Sequence, residues 1–262
     1  MNRYLSTVGL YARWNLYKIL TIILITALAA GFLVYRYPIG TVVLDENYVS
    51  AETGETTQLV ASYPKLEGAV SGSGAPVVCA VGFAAIVAVM SLTGCGYGVK
   101  TEYTIRRLRV KERQAVLLWA AYHAVLLVIY WAALAAVLYG VMHLRLQMDV
   151  PVDYFVYTYG PQSMLLLCYT DTFLHHLLPL RDVAAWGVGM ASVLAAALST
   201  VLFSYRQRRG SFSVMVLLAL AGTIGSFFCG LGENANALLM VLLLGVAGAA
   251  FVMLIGGDKD AA

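Results

Sequence analysis

The chain has 262 residues, of which 61% are hydrophobic and only 12% are charged. Soluble domains carry about 25% charged residues, so this composition excludes an ordinary soluble domain and indicates a protein whose solvent is mainly lipid. The formal net charge of +3 says little until the charges are assigned to the two sides of a membrane.

Two predicted elements occupy the N-terminal 35 residues. Residues 4–18 intersperse apolar and aromatic side chains with Arg3, Arg13 and Lys18, which is typical of a helix lying on the inner leaflet. The apolar run 19–35 follows and lacks the small-residue cleavage site of a signal peptide. We therefore expect an interfacial helix that turns into a retained membrane span.

Six segments approach or exceed the roughly 20 apolar residues that a membrane-spanning helix needs. They are residues 19–35, 76–93, 115–141, 183–204, 212–230 and 237–255. The predicted fold class is therefore an all-α polytopic membrane protein with six transmembrane helices. Residues 1–262 are expected to form a single transmembrane domain.

The connection at 36–75 is polar and carries five acidic residues. Its length allows a small β-hairpin. The Ser/Gly run at 71–74 predicts a flexible joint before the second span. We expect the whole connection to form an external loop.

The connection at 94–114 contains six basic residues between positions 100 and 113. With six spans, 13 of the 17 Lys and Arg residues fall on the side of this connection: Arg3, Arg13, Lys18, Lys100, Arg106, Arg107, Arg109, Lys111, Arg113, Arg206, Arg208, Arg209 and Lys259. Because short cytoplasmic loops are enriched in Lys and Arg, this side is predicted to be cytoplasmic. Both termini are then cytoplasmic as well.

The segment 142–182 contains an apolar run at 164–169, but proline, aspartate and histidine residues on both sides of that run interrupt the segment. It could span the membrane, re-enter it or lie on the outer surface. A seventh crossing would move the arginines at 206–209 to the outside, against the charge bias. We therefore favour an external amphipathic or re-entrant helix between spans three and four.

Few ionisable residues lie within the predicted spans, and each could mark a substrate site. His123 lies near the predicted cytoplasmic start of the third span, where facing the interface and hydrogen-bonding to a neighbouring helix are the alternatives to a substrate site. Asp171 and His175 are four residues apart, which would put them on one face of a helix. A zinc site normally needs a third protein ligand, so we expect no metal and interpret this pair as the polar face of an external helix.

The four cysteines lie in or at the ends of apolar segments and lack metal-ligand spacing, so we interpret them as small hydrophobic residues: Cys79, Cys95, Cys168 and Cys229. The chain has no Walker-type phosphate-binding loop. We therefore expect that it is not an enzyme and holds no cofactor. No nucleic-acid partner is expected.

Within the basic connection, apolar side chains alternate with arginines and allow a short amphipathic helix. The chain resembles the membrane subunit of an ATP-binding-cassette transporter of the type-2 exporter class. The resemblance is carried by the N-terminal interfacial helix, the external loop 36–75, the stretch 102–108 and the segments 172–180 and 205–210. In that class this connection holds a coupling helix that inserts into a separate ATPase. This chain departs from the class in one respect. The class usually carries its external re-entrant helices between the last two spans, whereas here the external helical insertion falls between spans three and four.

The resemblance implies a permease subunit that moves an apolar or amphipathic substrate, such as a lipid, peptide or drug-like molecule, across the cytoplasmic membrane of a bacterium. It implies an ATPase partner that binds ATP and Mg²⁺, and a second permease chain in a homo- or heterodimer, with membrane lipid around both. The residues expected to dock the ATPase are Tyr103, Ile105, Arg106, Arg107 and Leu108.

An alternative function is a membrane receptor, regulatory or accessory subunit without a transport path. The scarcity of polar residues in the spans favours it, and juxtamembrane basic residues bind anionic lipid without help from a partner. The small residues of 183–200 and of the last span fit packing within one chain or, alternatively, a permease dimer interface.

Overall fold

The computed structural model is a bundle of long apolar helices. The helices are α1 (Asn2–Arg36), α2 (Ala75–Thr93), α3 (Glu112–Leu146), α4 (Ser163–Thr170), α5 (Thr172–Leu177), α6 (Val183–Arg208), α7 (Met215–Phe228) and α8 (Glu233–Gly256). The structure describes residues 2–38, 41–49, 56–64, 67–93, 95, 112–147, 150–152, 155–157, 162–180, 182–228 and 233–256.

Five helices are long and apolar enough to cross a membrane, and they lie at Ala12–Arg36, Ala75–Thr93, Gln114–Leu146, Val183–Arg208 and Ala235–Gly256. This confirms the predicted helical membrane class. The sixth predicted span, 212–230, contains the apolar helix α7 of 14 residues. At 1.5 Å per residue α7 is about 21 Å long, shorter than the roughly 30 Å hydrocarbon core.

The outward faces of these helices are apolar. In α1, for example, Leu24, Ile25 and Phe32 are about 60% exposed. Exposed side chains of this size would be unfavourable in water, whereas in lipid they are solvated by acyl chains. A helix suits this environment because its backbone hydrogen bonds are satisfied within the segment.

Helix α1 is one unbroken helix from Asn2 to Arg36. The predicted turn between an interfacial helix and the first span is therefore wrong. The stretch contains no proline, so nothing in it removes a backbone donor or forces a kink.

Hydrogen bonds between α1 and α3 show that these helices run in the same direction. Arg145, in the last turn of α3, donates from Nη1 to the carbonyl oxygens of Val34 (2.8 Å) and Tyr37 beside the end of α1. Nearer the start of both helices, the Tyr122 hydroxyl donates to Asn15 Oδ1 at 2.9 Å.

The ends of α2, α6 and α8 meet near the starts of α1 and α3. Ser204 Oγ in α6 donates to the carbonyl oxygen of Ser91 in α2 at 3.1 Å. Leu254 of α8 belongs to the same apolar cluster as Val116 of α3 and Tyr205 of α6. We call this end of the bundle, defined by the starts of α1 and α3 and the ends of α2, α6 and α8, the basic end. The other is the opposite end.

Helix α6 is the most buried of the long helices, since 67% of its most apolar stretch is buried against 28% in α8. Small residues explain its close packing, and Ala191 and Ala195 of α6 share an apolar cluster with Ala247 of α8. For these residues, packing within one chain is confirmed. Gly245 and Gly248 are exposed instead, and nothing in the described part of the chain would lie within 4 Å of a Cβ there.

Short strands occupy two connections. Strands β1 (Thr41–Val49) and β2 (Thr56–Pro64) pair antiparallel, with Thr41 opposite Pro64 and Val49 opposite Thr56. This is the hairpin that the sequence allowed in the 36–75 connection. Strands β3 (Val150–Val152) and β4 (Phe155–Tyr157) form a second, smaller pair before α4.

Candidate functional site

The predicted ATPase-docking residues Tyr103, Ile105, Arg106, Arg107 and Leu108 lie outside the described residues. The structure does describe the two helix ends that flank them, Thr93 of α2 and Glu112 of α3. Both helix ends belong to the basic end. The connection 94–111 therefore begins and ends there.

His123 is fully buried between α3 and α6. Its Nδ1 lies 3.0 Å from Thr200 Oγ1, and that hydroxyl donates to the carbonyl oxygen of Ala197 at 2.9 Å. The hydroxyl proton is thus already used, so the shared hydrogen is assigned to His123 Nδ1 and Nε2 becomes an acceptor. Nε2 is buried and has no hydrogen-bond partner among the described residues.

His123 hydrogen-bonds to a neighbouring helix, α6, which is one of the two roles expected for a histidine near the cytoplasmic start of the third span. It is 11 residues from the start of α3, a rise of about 16 Å. The Trp119 ring contacts the imidazole edge-on, with centroids 5.4 Å apart. An apolar run gives the position of a histidine along a helix but not the depth to which neighbouring helices cover it.

Asn15 is a second buried polar residue near the basic end, and the sequence analysis missed it. Its Oδ1 accepts from Tyr122, while its Nδ2 is buried with no partner in the described ranges. Asn15 and His123 thus provide one unused donor and one unused acceptor in the same part of the bundle. Both groups are neutral there and suit hydrogen bonding to a polar group rather than binding of an ion.

Asp171 is fully buried at the opposite end, where it joins two connections. One oxygen, Oδ1, accepts from the backbone N–H groups of Phe173 and Leu174, both at 3.1 Å, and caps α5. The other, Oδ2, accepts from the backbone N–H groups of Val70 and Ser71, both at 2.8 Å. We call this arrangement the Asp171 clasp. A buried carboxylate is stable here because four donors replace its water shell.

The clasp corrects two predictions. The Ser/Gly run 71–74 is not a flexible joint, because Ser71–Ser73 forms a short 3₁₀ helix whose first N–H binds Asp171. Asp171 and His175 do not form the polar face of one helix, since Asp171 has extended backbone angles between α4 and α5. Helices α4 and α5 have eight and six residues and are too short to cross a membrane.

The neighbouring His176 connects α5 to the start of α8. Its Nδ1 lies 2.7 Å from the carbonyl oxygen of Thr172 and is assigned as the donor, so Nε2 accepts from Asn236 Nδ2 at 2.9 Å. His175 packs near the ring of Tyr169. Within the described ranges no three His, Cys, Asp or Glu side chains come together as metal ligands.

A cavity of about 150 Å³ opens beside His176, between α3, α5, α6 and α7. Its walls are mainly aromatic and aliphatic, and include Val128, Trp131, Trp186, Met190, Val193 and Phe227. The rings of Trp131 and Phe227 pack against each other at an angle of 31°, with centroids 4.5 Å apart. Such walls suit an apolar or aromatic group rather than a charged one.

Taken with the apolar helices, these sites define a membrane-embedded helical protein. Its described buried polar groups are either neutral or satisfied within the chain. Comparison with protein-family models, with curated proteins and with solved structures finds no match to this chain.

Proposed function

We propose that the chain is the permease subunit of an ATP-driven exporter, with a separate ATPase bound at the basic end. The transporter would lie in the cytoplasmic membrane of a bacterium, with both termini in the cytoplasm. A second permease chain, identical or related, completes the assembly. The substrate is apolar or amphipathic.

The observation that carries the proposal is the grouping of helix ends. The end of the bundle that holds the start of α1 also holds the start of α3 and the ends of α2, α6 and α8, and 13 of the 17 Lys and Arg residues lie in these helix ends, in the 94–111 connection or directly after α6 and α8. A single strongly basic end is what the positive-inside rule requires of a cytoplasmic face. In sequence, the connection also combines arginines with apolar residues at 103–110, a composition that suits docking of an ATPase.

Six crossings follow if α7 spans together with the residues before it. Residues 211–214 are not helical, and at about 3.3 Å per residue they would add roughly 13 Å to the 21 Å of α7. Ser213 within them is only 2% exposed, whereas Phe212 and Val214 are 62% and 54% exposed. Non-helical backbone at membrane depth is tolerated where protein covers it, as it does at Ser213.

The orientation is tested by labelling single cysteines in intact cells. Gly54→Cys, in the connection between β1 and β2, is expected to react with a membrane-impermeant maleimide. Thr104→Cys is expected to react only after the cells are opened. Thr104→Cys reacting as fast as Gly54→Cys in intact cells would refute the orientation, and unsubstituted protein measures the background from native cysteines.

The docking surface is tested by the double variant Arg106→Glu with Leu108→Glu. Arg106→Glu places a negative charge against an acidic partner. Leu108→Glu removes an apolar anchor, and such anchors contribute about 2 kcal/mol or more. We expect loss of co-purification with the proposed ATPase subunit and loss of ATP-coupled transport. Five of the six basic residues of 100–113 remain, so the orientation is expected to be unchanged.

The matched control is Leu180→Glu with Arg181→Glu, which makes the same two chemical changes at the opposite end. Leu180 is half exposed, so the change is expected to be tolerated. The control should keep the ATPase bound. If the 106/108 variant also keeps a full complement of ATPase and normal transport, the docking site is wrong.

The substrate class is supported by the neutral interior. His123 and Asn15 leave one acceptor and one donor unused, and the cavity beside Trp131 and Trp186 is apolar. Neither site has the paired charges that bind an ion in a membrane. An amphipathic molecule matches both, because it combines apolar bulk with a few hydrogen-bonding groups.

A receptor or regulatory subunit is the second candidate function, and the Asp171 clasp favours it. The clasp binds the segment that follows the β1–β2 hairpin directly to the α4–α5 connection, so a ligand held by the hairpin would act on the bundle. A partner held only by charge should dissociate in high salt, whereas a docked amphipathic helix should stay bound. Co-purification of an ATPase that survives a salt wash supports the exporter.

A further inference from the structure

A groove of about 300 Å³ lies between α2, α6 and α7 near the basic end. Its walls are mostly apolar, formed by side chains that include Val87, Ala88, Leu92, Phe203, Val216 and Leu220. In a membrane-embedded chain such a groove is accessible to acyl chains. Its volume suits a segment of one chain rather than a whole lipid.

The groove contains polar atoms at one place. Ser213 Oγ lines it, is almost completely buried and has no hydrogen-bond partner in the part of the chain that the structure describes. Ser91 lines it too, but its hydroxyl donates to the carbonyl oxygen of Val87 at 2.8 Å. A buried hydroxyl without a partner is unfavourable, so Ser213 is suited to bind a polar group of the occupant.

Positive charge lies at the same end of the groove. Ser204 Oγ donates to the carbonyl oxygen of Ser91, and Arg208 Nε donates to the carbonyl oxygen of Ser204 at 3.4 Å. Cys95 follows α2 and binds the Ser91 carbonyl through its thiol. Burial raises the pKa of this thiol, and the guanidinium of Arg208 opposes the rise.

The turn after α6 keeps further basic residues at this position. Gly210 adopts a left-handed conformation with φ of 74°, and the N–H of Ser211 donates to the carbonyl oxygen of Arg206. This arrangement is the usual way for a helix to end at a glycine. Arg206, Arg208 and Arg209 therefore stand at the start of the segment that enters the groove at Ser213.

We propose that this groove binds an anionic phospholipid of the leaflet at the basic end, with one acyl chain between α2, α6 and α7 and the phosphate held by Arg208 and Ser213. Cytoplasmic leaflets are rich in anionic lipids, and basic pockets between helices at that leaflet bind their headgroups. A zwitterionic lipid would fill the apolar groove equally well but gain less from the arginines. The site does not depend on the exporter assignment, because a receptor subunit would bind the same lipid.

The test uses the full-length chain purified in detergent and native mass spectrometry. The probes are phosphatidylglycerol and phosphatidylcholine with identical acyl chains, added at equal concentration. We expect one tightly retained phosphatidylglycerol and markedly less phosphatidylcholine. Arg208→Gln is expected to weaken phosphatidylglycerol binding about fivefold, the factor that corresponds to the roughly 1 kcal/mol that each basic residue contributes near an anionic surface.

Ala88→Phe fills the groove and is expected to abolish retention of both lipids. The matched controls are Arg36→Gln, at the opposite end, and Ala85→Phe, which lies on the same helix but lines a different groove with α1. Both controls should bind like the unsubstituted protein. Equal retention of the two lipids, equal effects of Arg208→Gln and Arg36→Gln, or normal binding by Ala88→Phe would each overturn the proposal. Circular dichroism and size exclusion confirm that each variant is folded.

Discussion

Asp171→Asn is expected to destabilise the protein by about 2–6 kcal/mol, since it leaves two buried donors without an acceptor and each costs about 1–3 kcal/mol. The carboxylate accepts from four backbone N–H groups, two on each oxygen. An asparagine keeps one oxygen and replaces the other with an NH₂ group, which cannot accept. Two of the four N–H groups are then left facing a donor. Chemical unfolding in detergent micelles measures the change, and limited proteolysis at 65–75 should become faster.

The matched control for this change is Asp182→Asn. Asp182 Oδ1 caps α6 by accepting from the N–H groups of Ala184 (2.8 Å) and Ala185 (3.1 Å). Asparagine caps a helix about as well as aspartate, and the single oxygen that is used can be kept. We expect a change below about 0.5 kcal/mol, as for most surface substitutions. Equal effects at positions 171 and 182 would show that the clasp contributes nothing beyond an ordinary helix cap.

Gly82→Ala is expected to destabilise the α1–α2 contact by about 1–3 kcal/mol, the usual cost of an overpacked core. A Cβ at Gly82 would lie 2.4 Å from Thr26 Oγ1, 2.5 Å from Thr26 Cγ2 and 2.9 Å from Thr26 Cβ. Rotating the Thr26 side chain moves Oγ1 and Cγ2 but not its Cβ, which moves only with the backbone. Rotation therefore cannot remove the whole clash. The two helices must separate, and thermal unfolding should begin at a lower temperature.

Gly140→Ala in α3 provides the control of opposite sign. Nothing in the described part of the chain lies within 4 Å of a Cβ at this position. Alanine is better than glycine inside a helix by about 0.5–1 kcal/mol, so this variant should be slightly more stable.

Adding Thr26→Gly to Gly82→Ala removes all three clashing atoms and should recover part of the loss. If it recovers none, the close approach is not the cause.

The long helices could be predicted from the sequence because hydropathy is a local property of 18 to 20 consecutive residues. The grouping of the connections could be predicted as well, since the positions of Lys and Arg depend only on the order of the spans. Both inferences need no knowledge of which helices touch. This explains why α2, α3, α6 and α8 lie close to the predicted spans and why α1 contains the predicted span 19–35.

The candidate sites could be predicted only in part, because they depend on contacts between distant residues. Asp171 binds N–H groups 100 and 101 residues away, and these belong to main-chain atoms that have no sequence signature. His123 was identified as a candidate, but its burial depends on α6. Asn15 was missed because it lies among charged and aromatic residues that suggested an interface. The shortness of α7 follows from the non-helical residues 211–214, which the apolar run 212–230 did not indicate.

The two sets of hydrogen bonds between α1 and α3 have a mechanical consequence. Arg145 holds α1 and α3 together at their C-terminal ends, and the Tyr122–Asn15 contact holds them together nearer their N-terminal ends. Parallel helices held at both ends cannot slip past each other by one turn, about 5.4 Å, without breaking both contacts. A force applied to the start of α3 therefore displaces α1 as well. The 94–111 connection ends at the start of α3, so whatever pulls on it moves a rigid two-helix unit against α6 and α8.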